Sequence, residues 1–227
     1  MLHYNEFNLY LIRHGQSEVN VLPDHVGQSK DTKLTKEGKV QASLLGCRLF
    51  QKEKLSVDRV FSSDYTRAVD TCNIALGNSP IVQSVQTIYA PELREYSAGD
   101  WTGSSRKEIY DITTILRMAA MTNSFLPPNG ESFHMVERRA SKWLEDTILY
   151  NEQVQAEANK RQAQNLLPQN IFVFSHGITI KCLLHYIMGF DQSFTWKINL
   201  ENTSISKLHF GSKGWSLITI NDYAHLL

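Results

Sequence analysis

The sequence predicts an α/β fold, a three-layer sandwich with a largely parallel central sheet flanked by helices. Three observations carry this reading. Short apolar runs at Phe7 to Ile12, Arg59 to Phe61 and Ile171 to Phe174 alternate with longer stretches whose apolar residues recur at helical spacing. Ile171 to Phe174 is apolar throughout, as in a central strand buried on both faces. Two of the runs end alike, at Arg13-His14-Gly15 and at Ser175-His176-Gly177, as parallel strands delivering loops to one edge would.

The elements follow in order. Phe7 to Ile12 is the first strand. Thr35 is an N-cap residue ahead of a helix with Val40, Leu44, Leu45 and Leu49 at helical spacing. Arg59 to Phe61 is a second strand, and Asp64 is positioned to cap a helix from Tyr65 to about Leu76 that Gly77-Asn78 stops. Gln86 to Ala90 is a third strand ended by Pro91. Arg94 to Ser105, with Gly99, Trp101 and Gly103, is an irregular loop, and Lys107 to Met121 is one helix. Pro127 to Gly130 is a turn. Glu131 and Ser132 then open a long helix with Val136, Ala140, Trp143, Leu144 and Ile148 on one face. From Asn151 to Asn165 the apolar stripe fades, which predicts either an exposed helical extension or a mobile insertion. Ile178 to Met188 is helical, and Thr203 to Phe210 with Trp215 to Ile220 form a hairpin around Gly211 to Gly214.

The chain has 227 residues, 42% hydrophobic and 20% charged, which is ordinary globular composition and excludes a disordered or low-complexity chain. At roughly 150 residues per domain, 1–227 reads as a single domain, with a cap region at about 99–130 and a polar insertion at about 151–169. Lys plus Arg and Asp plus Glu are both 23, so the basic excess of a general nucleic-acid or anionic-membrane binder is lacking and any positive site must be local. No stretch approaches the ~20 apolar residues of a membrane span. Cys47, Cys72 and Cys182 are far apart, without a C-x-x-C pair, which suits a reducing compartment and argues against a zinc ribbon. With no Lys or Arg in Met1 to Asn8, the expectation is a cytoplasmic chain without a signal peptide. No pattern bears on oligomeric state.

If the two strands are parallel neighbours, His14 and His176 emerge at one edge, where Gly15 and Gly177 permit a sharp turn and close ligand approach. The helix after Gly177 offers free N–H groups to an anion. Arg13 and Arg67 stand at strand-to-helix junctions, and an arginine fork fits phosphate oxygens. Two arginines and two histidines converging would make a pocket for a phosphate dianion.

Arg13-His14-Gly15-Gln16-Ser17-x-x-Asn20 resembles the signature of the histidine phosphatase superfamily, which includes phosphoglycerate mutases. Five further segments resemble it in the same order: Ser62-Ser63-Asp64-Tyr65-Thr66-Arg67-Ala68-x-x-Thr71, Leu93-Arg94-Glu95 with Gly99-x-Trp101-x-Gly103, Pro128-x-Gly130-Glu131-Ser132, Ser175-His176-Gly177, and Asn202-Thr203-Ser204-Ile205. Together they run from residue 9 to about 208. The polar stretch Gln153 to Gln169 is the clearest departure.

The resemblance implies a phosphomonoester hydrolase acting through a phosphohistidine on His14, without metal or other cofactor, on a phosphorylated small molecule. Arg13, Arg67 and His176 would bind the transferring phosphoryl group, Gly177 would add its backbone N–H, and Glu95 would act as general acid and then base. Asn20 is either a further donor to the phosphoryl group or a turn cap, and Ser17 either a pocket hydroxyl or a cap. Asp100 is the fallback acid. Two alternatives stand: cofactor-dependent mutase chemistry, and a non-catalytic phospho-ligand-binding protein on the same fold. Against the mutase, Val19 stands where those enzymes usually carry Trp. The extra cations that a bisphosphorylated species needs would have to be Arg106, Lys107 or Arg117. Against the binding protein, Arg13, His14, Arg67, Glu95 and His176 are all present. The absence of an H-E-x-x-H motif argues against a metallohydrolase. Trp101, Tyr110 and Phe125 either shape a substrate site or belong to the core.

Overall fold

The computed structural model describes residues 6–22, 24–27, 29–77, 85–191 and 193–227. In chain order these form β1 (Phe7–Arg13), α1 (Lys36–Gly46), β2 (Arg59–Ser62), α2 (Thr66–Gly77), β3 (Thr87–Tyr89), α3 (Arg106–Ile109), α4 (Ile112–Met121) and α5 (Phe133–Leu144). There follow α6 (Glu152–Ala163), β4 (Gln169–Ser175), α7 (Gly177–Met188), α8 (Phe194–Lys197), β5 (Ile205–Gly211) and β6 (Gly214–Asp222). The strands make one six-stranded sheet in the order β3-β2-β4-β1-β5-β6. β3, β2, β4 and β1 run parallel, while β5 and β6 are the antiparallel hairpin expected at the end.

Side-chain alternation along the strands builds both cores. Leu9, Leu11, Ile171 and Val173 face α5 and α7 and pack on Ala140, Leu144, Ile180 and Leu183. Tyr10, Ile12, Phe172 and Phe174 face α1 and α2 and pack on Leu45, Leu49, Cys72 and Ala75. β4 is buried along its whole length because it has a strand on each side and a helical layer on each face. Among the described residues no helix is long and apolar enough to cross a membrane.

Local chemistry explains most boundaries. Thr35 Oγ1 accepts from Gly38 N–H (3.0 Å) and Ser132 Oγ from Met135 N–H (3.2 Å), so both predicted caps are made. Asp64 does not turn to α2. It gives both carboxylate oxygens to Arg94, a stronger charge-assisted pairing than a cap. α2 ends at Gly77; Asn78, the other half of its expected stop, lies outside the described residues.

The buried face of α1 is Gly38, Gln41, Ala42 and Leu45. Val40 and Leu44, expected inside, are exposed. The single helix predicted for Lys107 to Met121 is two, because Asp111 caps a new start by accepting from Thr114 N–H at 2.7 Å.

The polar stretch after Asn151 is a packed helix rather than a mobile insertion. Asn151 Oδ1 caps α6, and Val154 and Ala158 are buried. Gln169 Nε2 donates to Val154 O at 2.9 Å, and Arg161 pairs with Asp58 beside the start of β2. Two buried residues in twelve are too few to raise an apolar stripe above the polar background. Val154→Ala is therefore expected to cost about 2 kcal/mol of stability in urea unfolding, as removal of packed methyls does. An unchanged midpoint would mean that α6 is not anchored.

Candidate active site

The parallel pairing of β1 with β4 aligns Arg13 with Ser175, so His14 and His176 leave the sheet side by side. Backbone bonds carry the ladder one step past the strand ends: His14 N–H to Ser175 O (3.0 Å) and Ser63 N–H to Phe174 O (2.9 Å). Three loops are thus locked together at the carboxyl edge, the place where open parallel sheets bind ligands. The imidazole ring centroids of His14 and His176 lie 5.2 Å apart.

His14 is buried, and its Nδ1 is 2.7 Å from Gly15 O. A carbonyl oxygen only accepts, so Nδ1 carries the proton and Nε2 keeps the lone pair. Arg67 Nε lies 3.3 Å from that Nε2. The His14 pKa is held well below 6.5, by burial first and then by Arg67 and Arg13, so the ring is neutral at pH 7. His176 is depressed likewise, by burial and then Arg67, and its Nε2 meets Ser63 Oγ at 2.8 Å.

The two arginines enter with part of each guanidinium already engaged. Arg13 Nη1 donates to Leu200 O, and Arg67 Nη1 donates to Ser29 O at 2.9 Å. Burial lowers the Arg67 pKa to about 10, opposed by Glu95, which leaves a cation at neutral pH. Three buried nitrogens of these side chains have no hydrogen-bond partner among the described residues: Arg13 Nε, Arg67 Nη2 and His176 Nδ1. Unpaired buried polar groups are costly, and three converging on one place next to His14 Nε2 suit a tetrahedral oxyanion.

Glu95 closes the group from the loop after β3. Its oxygens accept from Tyr96 N–H (3.0 Å) and from Ile178 and Thr179 N–H (both 3.3 Å). The N–H groups at the start of α7, expected to face the anion, are therefore partly taken by this carboxyl. A Cβ added at Gly177 would sit 3.7 Å from Arg13 Nε and 3.8 Å from Glu95 Oε2, so Gly177 keeps the space between them open. Gly15 serves another purpose than the ligand approach expected of it. A Cβ there would lie 2.6 Å from Gly38 O, so it lets α1 pack against the loop.

Several residues that hold this arrangement were not read as functional. Arg139 on α5 binds Glu131 through Nε at 2.8 Å and reaches Glu95 O with Nη2 at 3.2 Å, while Glu131 Oε2 accepts from Ser97 N–H at 3.0 Å. This frames the Glu95 loop. Thr71 Oγ1 ties Gly15 N–H (2.9 Å) to Arg67 O (2.6 Å). Asn202 Nδ2 (3.0 Å) and Thr203 N–H (3.3 Å) clamp His14 O, with Thr203 at φ +59°, a conformation that β-branched residues rarely adopt. The glutamate and threonines lie inside the quoted segments; Arg139 had no sequence signal beyond its helix.

Asn20 Oδ1 accepts from Ser17 N–H (3.0 Å) and Ser17 Oγ (2.9 Å), so both residues serve as the turn cap weighed for them. Asp100 is exposed and holds Asn129 at 2.9 Å, away from the group. A cavity of about 370 Å³ adjoins Glu95; Asn20, Arg106, Tyr110 and Phe125 line it, and Trp101 packs behind the two aromatics.

The family model described as histidine phosphatase superfamily (branch 1) matches residues 9–223. The chain belongs to that superfamily. An adenosylcobalamin/alpha-ribazole phosphatase of Escherichia coli (strain K12) is 26% identical, with 95% of this chain and 96% of the relative covered. "Probable phosphoglycerate mutase GpmB" of Proteus mirabilis (strain HI4320) is 30% identical, covering 96% of this chain and 94% of the relative. The crystal structure of phosphoserine phosphatase in complex with 3-phosphoglyceric acid from Entamoeba histolytica superposes with a TM-score of 0.74 at 25% identity, covering 97% and 100%. Membership in the histidine phosphatase superfamily bears out the class expected from the motifs, a phosphomonoester hydrolase working through a phosphohistidine.

Two histidines buried neutral make an acid-sensitive histidine phosphatase. In the unfolded chain each titrates near 6.5. Below that pH the unfolded state takes up protons that the folded state refuses. Stability therefore falls from about pH 6.5 down to the folded values, by about 1.4 kcal/mol per pH unit for each histidine. Urea unfolding of wild type and His176→Gln between about pH 7 and pH 5 should give a slope shallower by that amount in the variant. Parallel slopes would mean that His176 protonates freely in the folded state.

Proposed function

We propose that His14 is the nucleophile of a metal-independent phosphomonoester hydrolase, with Glu95 as general acid and base. The observation that carries this is the convergence of Arg13 Nε, Arg67 Nη2 and His176 Nδ1, all buried and unpartnered, beside a neutral histidine whose lone pair is on Nε2. Those three donors receive the phosphoryl oxygens, with His176 Nε2 accepting from Ser63 Oγ so that Nδ1 can donate. Gly177 N–H adds a neutral donor, and Asn20 Nδ2 a second, since the turn cap is made through Asn20 Oδ1. His14 Nε2 attacks phosphorus, the P–O bond to the alcohol breaks, and Glu95 protonates the leaving oxygen. Water then attacks the phosphohistidine, gives its proton to Glu95, and the P–N bond breaks to release inorganic phosphate and neutral His14. Phosphoryl transfer is mostly positioning and charge stabilisation, so a cationic cage suffices for these steps.

The substrate is a phosphorylated small molecule, bound under a cap at about 99–130 that contributes Arg106, Tyr110 and Phe125 to the cavity wall. Of the three cations considered for a second phosphate, Arg106 lines the cavity, while Lys107 and Arg117 are exposed and do not line it. That favours hydrolysis over mutase chemistry. The free thiols of Cys47, Cys72 and Cys182 support a reducing, cytoplasmic setting.

An aryl phosphate should be hydrolysed in chelator-containing buffer, with the activity abolished in His14→Ala. Equal activity in both would remove His14 as nucleophile. Arg67→Lys should lower kcat by about 10²-fold or more, because one ammonium nitrogen cannot stand where the separate Nε, Nη1 and Nη2 of the fork stand toward His14, Ser29 O and phosphate. A near-wild-type rate would put Arg67 outside the phosphate cage.

A further inference from the structure

We infer that the alcohol carried by the physiological phosphate ester is a bulky aromatic or similarly apolar group, rather than a small carboxylic acid. The inference rests on the hydrolase reading above and names its substrate class. Glu95, the group that protonates the leaving oxygen, is also part of the wall of the 370 Å³ cavity. Glu95 also borders a second cavity of about 310 Å³, but its charged lining residues Arg94, Glu131 and Arg139 are already engaged in ion pairs. The leaving alcohol is therefore assigned to the first, and the phosphoryl group to Arg13, Arg67 and His176.

The character of the wall decides what fits. Tyr96, Tyr110, Met118, Phe125, Phe133 and Ile178 supply aromatic and aliphatic surface from four different parts of the chain. Four of the rings are braced by other aromatics: Tyr96 edge-on to Phe133 at 5.2 Å, Phe133 against Trp196 at 5.2 Å, and Phe125 and Tyr110 against Trp101 at 5.6 and 6.2 Å. Rings held in this way form fixed walls that a flat apolar ligand can stack on. At the mouth, Leu22 and Trp196 stay about half exposed, an apolar rim that a small polar substrate would leave wet.

Charge points the same way. Among the described residues of the wall, Glu95 and Arg106 carry formal charge, with His25, Asn20 and Thr122 as further polar side chains. Arg106 is exposed, and its guanidinium already stacks over Tyr110 at 5.2 Å. A carboxylate of serine or glycerate size would lie beside the Glu95 carboxyl, with one solvent-facing arginine as the cation to hold it. The other polar groups of the wall, His25, Asn20 and Thr122, are drawn from two separate segments. A three-carbon acid also leaves most of the volume unfilled, whereas pockets of this size and lining suit ligands of one or two rings.

Three alkyl esters of comparable chemical reactivity test this: 2-(1-naphthyl)ethyl phosphate, ethyl phosphate and phosphoserine. The expected kcat/KM for the naphthyl ester exceeds that of each of the others by at least about tenfold, as burial of one ring system would give. Met118→Trp fills the cavity and should bring the naphthyl-to-ethyl ratio toward one, and Met118→Leu should preserve it. Because the ratio is taken within one preparation, partial misfolding of a variant cancels. Turnover with no preference, or with a preference for phosphoserine, would overturn this inference and leave the hydrolase reading standing. A ratio unmoved by Met118→Trp would overturn the placement of the alcohol in this cavity. No turnover of any ester would overturn the hydrolase reading itself.

Discussion

The structure depends on tolerating concentrated positive charge out of water. Arg13 and Arg67 converge beside two neutral histidines at the edge of the sheet, with both arginine pKa values lowered by burial. Removing a guanidinium from water costs several kcal/mol unless its protons find acceptors. The fold supplies some of these from backbone carbonyls: Leu200 O for Arg13 and Ser29 O for Arg67. The Tyr65 ring lies under Arg67 at 5.0 Å, and the Glu95 carboxyl opposes both cations through space. The remaining nitrogens, Arg13 Nε and Arg67 Nη2, have no protein partner among the described residues, and rigid surroundings hold them in place. The continued β1–β4–β2 ladder, the Gly15–Gly38 contact and the Asn202–Thr203 clamp on His14 O keep the strand ends from relaxing.

Glu95 is the hinge between two unlike spaces. On one side is a small, dry, cationic space that recognises a charge. On the other is a cavity beside α3 and α4 walled by aromatic rings and a few polar groups. The carboxyl is held by the amino end of α7, and its loop by Arg139 and Glu131, so neither space can move the acid without moving α5 or α7. A carboxyl so placed borders both spaces at once, which is the position the proposed acid and base role requires.

Much of this was legible in the sequence because parallel strands convert linear order into spatial convergence. Arg13-His14-Gly15 and Ser175-His176-Gly177 read as partners since the apolar runs before them fix strand, direction and edge, and β1 and β4 pair in that register. The long helix after Ser132 was legible for a related reason: its buried residues recur at helical spacing all the way to Ile148. What sequence could not resolve were choices made by a single long-range contact. Asp64 prefers Arg94 to capping α2, and Asp111 splits a continuous helical pattern. Val154 and Ala158 anchor a helix whose other residues read as solvent-exposed. The role of Arg139 depends on α5 crossing the Glu95 loop, which no local pattern encodes.

The same burial that sets the His14 proton also sets the strength of the site. A histidine in water near pH 6.5 is half protonated and so half unavailable as a nucleophile. Adding cations alone would depress its pKa, but in water they would be screened and would attract phosphate weakly. Burying the group does both things at once. It keeps the lone pair on Nε2, with Nδ1–H fixed on Gly15 O, and it strengthens the attraction of Arg13 and Arg67 for an incoming dianion. The neutral histidine and the buried arginines beside it are thus consequences of one placement, the end of a strand buried between two others. Moving His14 one residue along the chain would lose both together.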